Sequence, residues 1–401
     1  MPTRRTRTSK KYPTSSRNPC LKSLLYITPL AGRTRDRLTI DCNDEGVLFL
    51  VARIKWTLPE LLQNPKDDVI DSLFADNLQW KITPRNSFLL AIQINFFDNG
   101  GMAISVCMSH TFGDGFTLIN LIKGWSDMNK IQNNNNSTST HDAQILPLMP
   151  LLNAASIFPQ GDLPYFPEYP EQKNIEKIVC KRYVFDASKI NILKSAVGKK
   201  LQTNPTRVQV VAVLLYKCVV SALRLSNKSN SLMKATLVQT VNLRTRRVPP
   251  LPTNSIGNES LMYVTSTTEN AELNLHDLVS KIKESPRKFC DTYTKNLNGE
   301  QWFTLYMQYL EEMKVLHLNE NQVFYLCTSL CRFGLYEVNF GWGEPTWMTF
   351  SNTAVKNMIL LMDTRDGDGI EAIVALEEQE MAVFEHDEDL LAHSWSRTTN
   401  V

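Results

Sequence analysis

The chain has 401 residues, 43% of them hydrophobic and 21% charged, the make-up of a globular protein long enough for two domains. Lys and Arg total 43 against 41 Asp and Glu, and a net charge of +2 excludes the dense basic field of a dedicated nucleic-acid binder. No continuous apolar run approaches the roughly 18 residues that a membrane-spanning helix needs.

The chain opens polar and basic. Residues 1–35 hold nine Lys or Arg and no acid. Residues 1–20 are therefore expected to be a disordered leader, with an organelle transit peptide as the alternative. A secretory signal fits less well, because Lys22 and Pro29 interrupt the apolar stretch 21–31. Residues 38–42 and 47–54 predict strands around a turn at 43–46. Short helices are predicted at 58–64 and 69–75, with Pro59 at a permitted first-turn position. Two apolar strands, 88–97 and 102–108, flank the hairpin turn Asp98-Asn99-Gly100-Gly101. From 116 to 129, Phe116, Ile119, Leu121, Ile122 and Trp125 recur at helical spacing. A polar Asn/Ser/Thr run at 133–140 predicts an exposed loop, and six prolines between 147 and 170 suit a crossover between domains. The second half predicts strands at 179–185 and 235–243, and helices at 188–199, 206–222, 273–291 and 301–313. Strands follow at 322–328, 358–363 and 369–377, before a single helix from 380 to 394. Irregular alternation of strands and helices favours an α/β or α+β sandwich.

Eight cysteines without a C-x-x-C pair point to reduced thiols and a cytoplasmic setting rather than a disulfide scaffold or a zinc site. The strongest candidate for chemistry is Ser109-His110-Thr111-Phe112-Gly113-Asp114-Gly115. It sets His110 at the end of a buried strand, where a fixed backbone presents a side chain to a cleft. Imidazole has the pKa for taking a proton from an alcohol near neutral pH. Asp114 suits either a loop-ordering ion pair or the N-cap of the next helix. A hydrogen-bonded core histidine beside a plain N-cap would leave the same pattern.

Context separates the two. The segment resembles the H-x-x-x-D-G motif of the plant BAHD acyltransferases, and Asn339-Phe340-Gly341-Trp342-Gly343 with Glu344-Pro345 is similar to that family's Asp-Phe-Gly-Trp-Gly motif. Further matches are Pro29-Leu30-Ala31-Gly32-Arg33, Asp41-Cys42-Asn43-Asp44-Glu45-Gly46, Asn242-Leu243-Arg244 and Ile256-Gly257-Asn258, in the family's order from about residue 20 onward. The branch it resembles most holds vinorine synthase, the pepper pungency acyltransferase and the acylsugar acyltransferases.

The resemblance implies an α/β, chloramphenicol-acetyltransferase-like sandwich of two domains with the active-site channel between them. Residues 21–165 would form the first domain and 166–401 the second. It implies His110 as general base, Asp114 turned away from substrate toward Arg244, and Gly115, Arg244, Asn339, Phe340, Gly341, Trp342 and Gly343 as structural. Acyl-CoA would be the co-substrate and a small-molecule alcohol the acceptor, with no cofactor, metal, acyl-enzyme, nucleic acid or membrane involved and a monomer as the working unit. Orientation of the alcohol and removal of its proton would carry the rate, since a thiolate leaves readily. A non-catalytic relic that binds CoA or a metabolite is the alternative, and thioester hydrolysis a third reading. Two departures matter. Asn339 stands where the family has Asp, so a charged partner is lost. Family members also carry roughly 50 residues of strand and loop ahead of the Pro29–Arg33 match, so an unpaired strand and an open channel wall are expected beside the leader.

Other signals read as structure. Gly367-Asp368-Gly369-Ile370-Glu371-Ala372 fits G-x-G-x-x-A, but a strand follows it and three acids would repel a pyrophosphate, so it predicts a hairpin. Asp363, Asp366 and Asp368 lack the closing Glu of a calcium loop. Cys327 and Cys331 read as buried, His386 and His393 as surface residues of one helix, and His141 as solvated. Trp302, Phe303, Tyr306 and Tyr309 predict a packed helical stripe or an acceptor-pocket wall.

Overall fold

The computed structural model describes residues 6–12, 28–36, 39–75, 87–134, 151–152, 177–201, 204–226, 233–268, 273–295, 299–317, 319, 321–352 and 355–397. Its first half is built from β1 (Thr6–Tyr12), β2 (Arg33–Thr34), β3 (Ile40–Asp41), β4 (Val47–Ile54), α1 (Leu58–Gln63), α2 (Asp67–Ser72), β5 (Leu90–Phe97), β6 (Met102–Met108) and α3 (Gly115–Asn134). Strands order as β1-β4-β5-β6, with β4 and β5 parallel and the outer pairs antiparallel. A parallel pair needs a crossover, and α1 and α2 supply it. Thr57 and Glu60 form a reciprocal capping box that starts α1. The β5–β6 turn closes with Gly100 at φ 85°, the left-handed conformation its sequence predicts.

The leader corrects one expectation. Over Thr6–Tyr12 it is a strand that pairs with β4, Thr6 opposite Arg53 and Tyr12 opposite Val47. The edge expected to be open is therefore occupied. Ladder bonds are made by main chain, so a polar segment with Thr6, Thr8 and Tyr12 can serve as an edge strand. The other residues of 1–20, the loop at 133–140 beyond Asn134, His141 and nearly all of 147–170 lie outside the described residues.

The second half holds β7 (Ile178–Phe185), α4 (Ala187–Leu201), α5 (Arg207–Ser226), β8 (Lys234–Asn242), β9 (Ser260–Thr268), α6 (Leu275–Tyr293), α7 (Gly299–His317), β10 (Gln322–Ser329), β11 (Met358–Asp363), β12 (Ile370–Glu377), α8 (Glu378–Phe384), α9 (Glu388–His393) and β13 (Trp395–Ser396). Its mixed sheet runs β13-β7-β12-β11-β10-β8-β9, with β10 parallel to both neighbours. The central strands β11 and β12 are apolar on both faces because helices cover one side and the first half the other.

α5 is the helix around which this half packs. By length and a mean hydropathy of 1.8 it reaches the composition of a membrane span, contrary to the sequence expectation, and 67% of that window is buried inside the fold. It forms one core with β7, β8, β10, β11 and β12. The predicted C-terminal helix is two helices. Asp387 breaks it by accepting from the N–H groups of Asp389 and Leu390, capping α9 and leaving His386 in the turn between them.

α3 joins the halves. Leu121 and Trp125 lie in a cluster with Phe49, Ile92, Ile256 and Phe340, while Ile119 packs with Leu330, Leu360 and Ile373 of the larger sheet.

Candidate functional site

β6 delivers His110. The strand ends at Met108, the N–H of Ser109 still donates to the Leu89 carbonyl at 2.8 Å, and a turn from Ser109 to Phe112 follows. At that turn the His110 side chain is exposed, and its main-chain carbonyl accepts from Asn258 Nδ2 at 2.8 Å. The backbone is tied down at a residue that is itself exposed.

Asp114 is the opposite: buried, and bonded on both oxygens. Oδ1 accepts from the Thr117 N–H at 3.0 Å, an N-cap for α3, and from Arg244 Nη2 at 3.2 Å. Oδ2 accepts from Arg244 Nη1 at 2.8 Å, the Glu259 N–H at 3.1 Å and Ser260 Oγ at 2.9 Å. Burial pushes this carboxyl up, but the Arg244 guanidinium and the N–H and O–H donors outweigh it and hold it below the usual carboxylate range.

Arg244 spends its donors fully. Besides Asp114 it reaches the carbonyls of Ser255 at 3.0 Å and Gly257 at 3.0 Å and the hydroxyl of Thr117 at 3.1 Å, and it lies 4.8 Å from the Phe116 ring centroid. Thr117 is the hub that the sequence reading missed. Its hydroxyl donates to the Gly257 carbonyl at 2.9 Å and accepts from Gly257 N–H and Arg244. The signal was present, since Thr117 is the third helical residue after an Asp N-cap. Gly113 fits this crowding: a Cβ there would meet Thr117 Cγ2 at 2.6 Å, and Thr117 has no freedom to give way. A Cβ on Gly115 would meet only the Leu330 side chain, at 2.9 Å.

Residues 257–260 thus strap the loop bearing His110 to the second half, through Gly257, Asn258, Glu259 and Ser260 in turn. Glu259 and Ser260 were not anticipated, although they adjoin the Ile256-Gly257-Asn258 match.

The Asn339–Gly343 loop stands elsewhere. Phe340 meets Trp125 edge-on at 4.7 Å and stacks on Trp342, which is itself exposed. Trp125 lies nine residues beyond Phe116, roughly 13 Å along the axis of α3, so the loop contacts the helix well away from the Asp114–Arg244 pair. Asn339 Oδ1 accepts from the N–H of Gly341 at 2.8 Å and of Gly343 at 3.2 Å, with both glycines at positive φ. Asn339 shapes this turn through main-chain donors.

The remaining candidates resolve as structure. β11 and β12 form the antiparallel hairpin predicted across Gly367, with Asp366 Oδ1 accepting from the Asp368 and Gly369 N–H groups. Burial raises the Cys327 and Cys331 thiols to about 12. His386 and His393 each turn Nδ1 to a carbonyl of the preceding turn, and no cluster able to hold a metal ion occurs among the described residues. Trp302 and Tyr309 are core. A cavity of about 460 Å³ opens beside them between α6 and α7, lined by Thr292, Lys295, Gln301 and Thr304 among others and by no residue of the His110 loop.

Residues 20–391 match the Transferase family. Akuammiline synthase 1 of Alstonia scholaris is 37% identical over 94% of this chain and 84% of its own length. Acyltransferase Pun1 of Capsicum frutescens is 33% identical over 92% of this chain and 81% of its own. The crystal structure of vinorine synthase superposes with a TM-score of 0.72 at 28% identity, covering 98% of this chain and 90% of that one. The α/β fold is the one that structure has.

Proposed function

The chain belongs to the Transferase family, the BAHD acyl-CoA-dependent acyltransferases, and on that premise we propose that it moves an acyl group from acyl-CoA to the hydroxyl of a plant specialised metabolite. Alkaloid, terpenoid and sugar-ester alcohols fit this reading. One observation carries it: an exposed His110 on a loop whose backbone is fixed from both sides, over a buried and saturated Asp114–Arg244 pair.

In the proposed step His110 takes the acceptor's hydroxyl proton as the oxygen attacks the thioester carbonyl. The tetrahedral intermediate collapses with cleavage of the C–S bond. CoA thiolate leaves, and the proton on the imidazolium returns to it. A base positioned in this way contributes on the order of a hundredfold to ten-thousandfold. Asp114 stays ionised and out of the reaction, because its oxygens are committed to five donors. We place the enzyme in the cytosol as a monomer; the seven described cysteines are free thiols, in keeping with a reducing compartment.

The test is release of free thiol from acetyl-CoA with a panel of plant alcohols. Release that needs both an alcohol and His110 supports the reading. Release without alcohol makes the chain a thioester hydrolase, and CoA binding without release makes it a binder.

A further inference from the structure

Glu259 is fully buried, and neither carboxyl oxygen has a hydrogen-bond partner among the described residues. Buried polar atoms are rarely left so, and each calls for an explanation. Its main-chain N–H donates to Asp114 Oδ2, as does the hydroxyl of the next residue, Ser260. The side chain thus departs from the rim of the Asp114–Arg244 pair. The charged groups that face it are Arg244 and Arg247, from the segment after β8, and Asp114, from the loop before α3. The Arg247 guanidinium in turn lies 5.2 Å from the centroid of a Trp302 ring on α7. Burial raises the Glu259 carboxyl above the usual range; the two guanidinium groups oppose that rise and the Asp114 charge adds to it.

Resting on His110 as the base, we propose that Glu259 is a positioning residue that works with its proton on: neutral, it leaves Arg244 to Asp114, and ionised, it sets a second buried carboxylate against the same guanidinium and loosens the loop that carries His110. Arg244 and Arg247 both face this carboxyl, but neither guanidinium hydrogen-bonds either of its oxygens, and a buried carboxylate that accepts no hydrogen bond is a costly arrangement unless it is protonated. The proton lost at high pH goes to solvent, and no covalent step is involved.

The experiment follows kcat and the melting temperature against pH for the parent and Glu259→Gln. A carboxyl whose folded-state pKa is raised gives stability that is present below its unfolded pKa and lost as pH climbs through the folded one. The parent should therefore lose melting temperature on the alkaline side, and kcat should fall there by up to about tenfold per pH unit. Glu259→Gln, an amide with the shape of the neutral acid, should show neither fall. The same alkaline fall in both proteins overturns the proposal. So does an amide variant that does not fold, because an amide ought to replace a neutral acid. If His110 were not the base, His110→Ala would keep the parent's kcat, while the difference in melting temperature between the parent and Glu259→Gln remained.

Discussion

Asp114 and Arg244, 130 residues apart, face each other through two hydrogen bonds of 2.8 and 3.2 Å, with 1% of the Arg244 side chain and 7% of the Asp114 side chain exposed. A bidentate pair at that burial fixes angle as well as distance. It ties the start of α3 to the end of β8, and so ties the loop that presents His110 in the first half to a strand of the second.

Asp114→Ala removes one partner and leaves a buried guanidinium without its counter-charge, a loss of about 3–5 kcal/mol. The expected outcome is a large drop in melting temperature together with low activity. Asp114→Asn keeps the shape and loses the charge. Because the Asp114 carboxyl is held low, its stabilisation is present above its unfolded pKa and lost as pH falls through the folded one. An acid limb of stability should thus be seen in the parent and be weaker in Asp114→Asn. Full stability and activity in the Asn variant at neutral pH would remove the charge pairing from the account.

His110→Ala should lower kcat by about a hundredfold or more. The residue is exposed, and Asn258 holds its main-chain carbonyl, a bond that the substitution leaves in place. The melting temperature should stay within the usual range of a surface change, about 0.5 kcal/mol in stability. Thermal melting beside steady-state kinetics checks both halves, and an active variant sinks the assignment.

Asn339→Asp should raise stability by about 1 kcal/mol, for a reason other than the one the sequence suggested. The family resemblance pointed to a missing charged partner. The structure shows Asn339 accepting from two glycine N–H groups, and a carboxylate strengthens such bonds. The gain should appear in the melting temperature and leave the choice of acceptor alone, since the loop meets α3 at Trp125, well away from the Asp114–Arg244 pair. A destabilised Asp variant would show that the turn cannot hold a charge.

Much of this was legible in the sequence because local pattern and tertiary role agreed. Val47–Ile54 and Met102–Met108 are apolar runs bounded by turn residues, and both are strands with those limits. The Asp114–Arg244 contact came from motif resemblance, because no periodicity links residues so far apart. Ser260–Thr268 was missed as a strand: its Ser and Thr content resembles a loop, and only pairing with β8 along one edge makes it β. Glu259 and Thr117 were missed because burial and hydrogen-bond crowding follow from the tertiary fold. The single C-terminal helix failed on capping, since Asp387 offers its carboxylate to a new helix start inside an otherwise helical pattern.

The leader strand supports the last prediction. β1 pairs with β4 from Val47 to Arg53, all of that strand but Ile54, and β4 is largely apolar on both of its faces. Without β1 a row of main-chain donors and acceptors beside that apolar surface would be open, which is the usual template for intermolecular pairing. In an antiparallel pair alternate residues donate to the partner strand. The double substitution Thr8→Pro with Ser9→Pro therefore removes at least one ladder bond, whichever of the two faces β4. The expected outcome is a protein that associates with concentration in light scattering and melts lower than the parent, while the Asp114–Arg244 pair at the other end of the sheet stays intact. Removal of residues 1–12 should have the same effect more strongly. If either variant stays monodisperse and melts as the parent does, the leader strand contributes nothing to the sheet, and β4 is protected in another way.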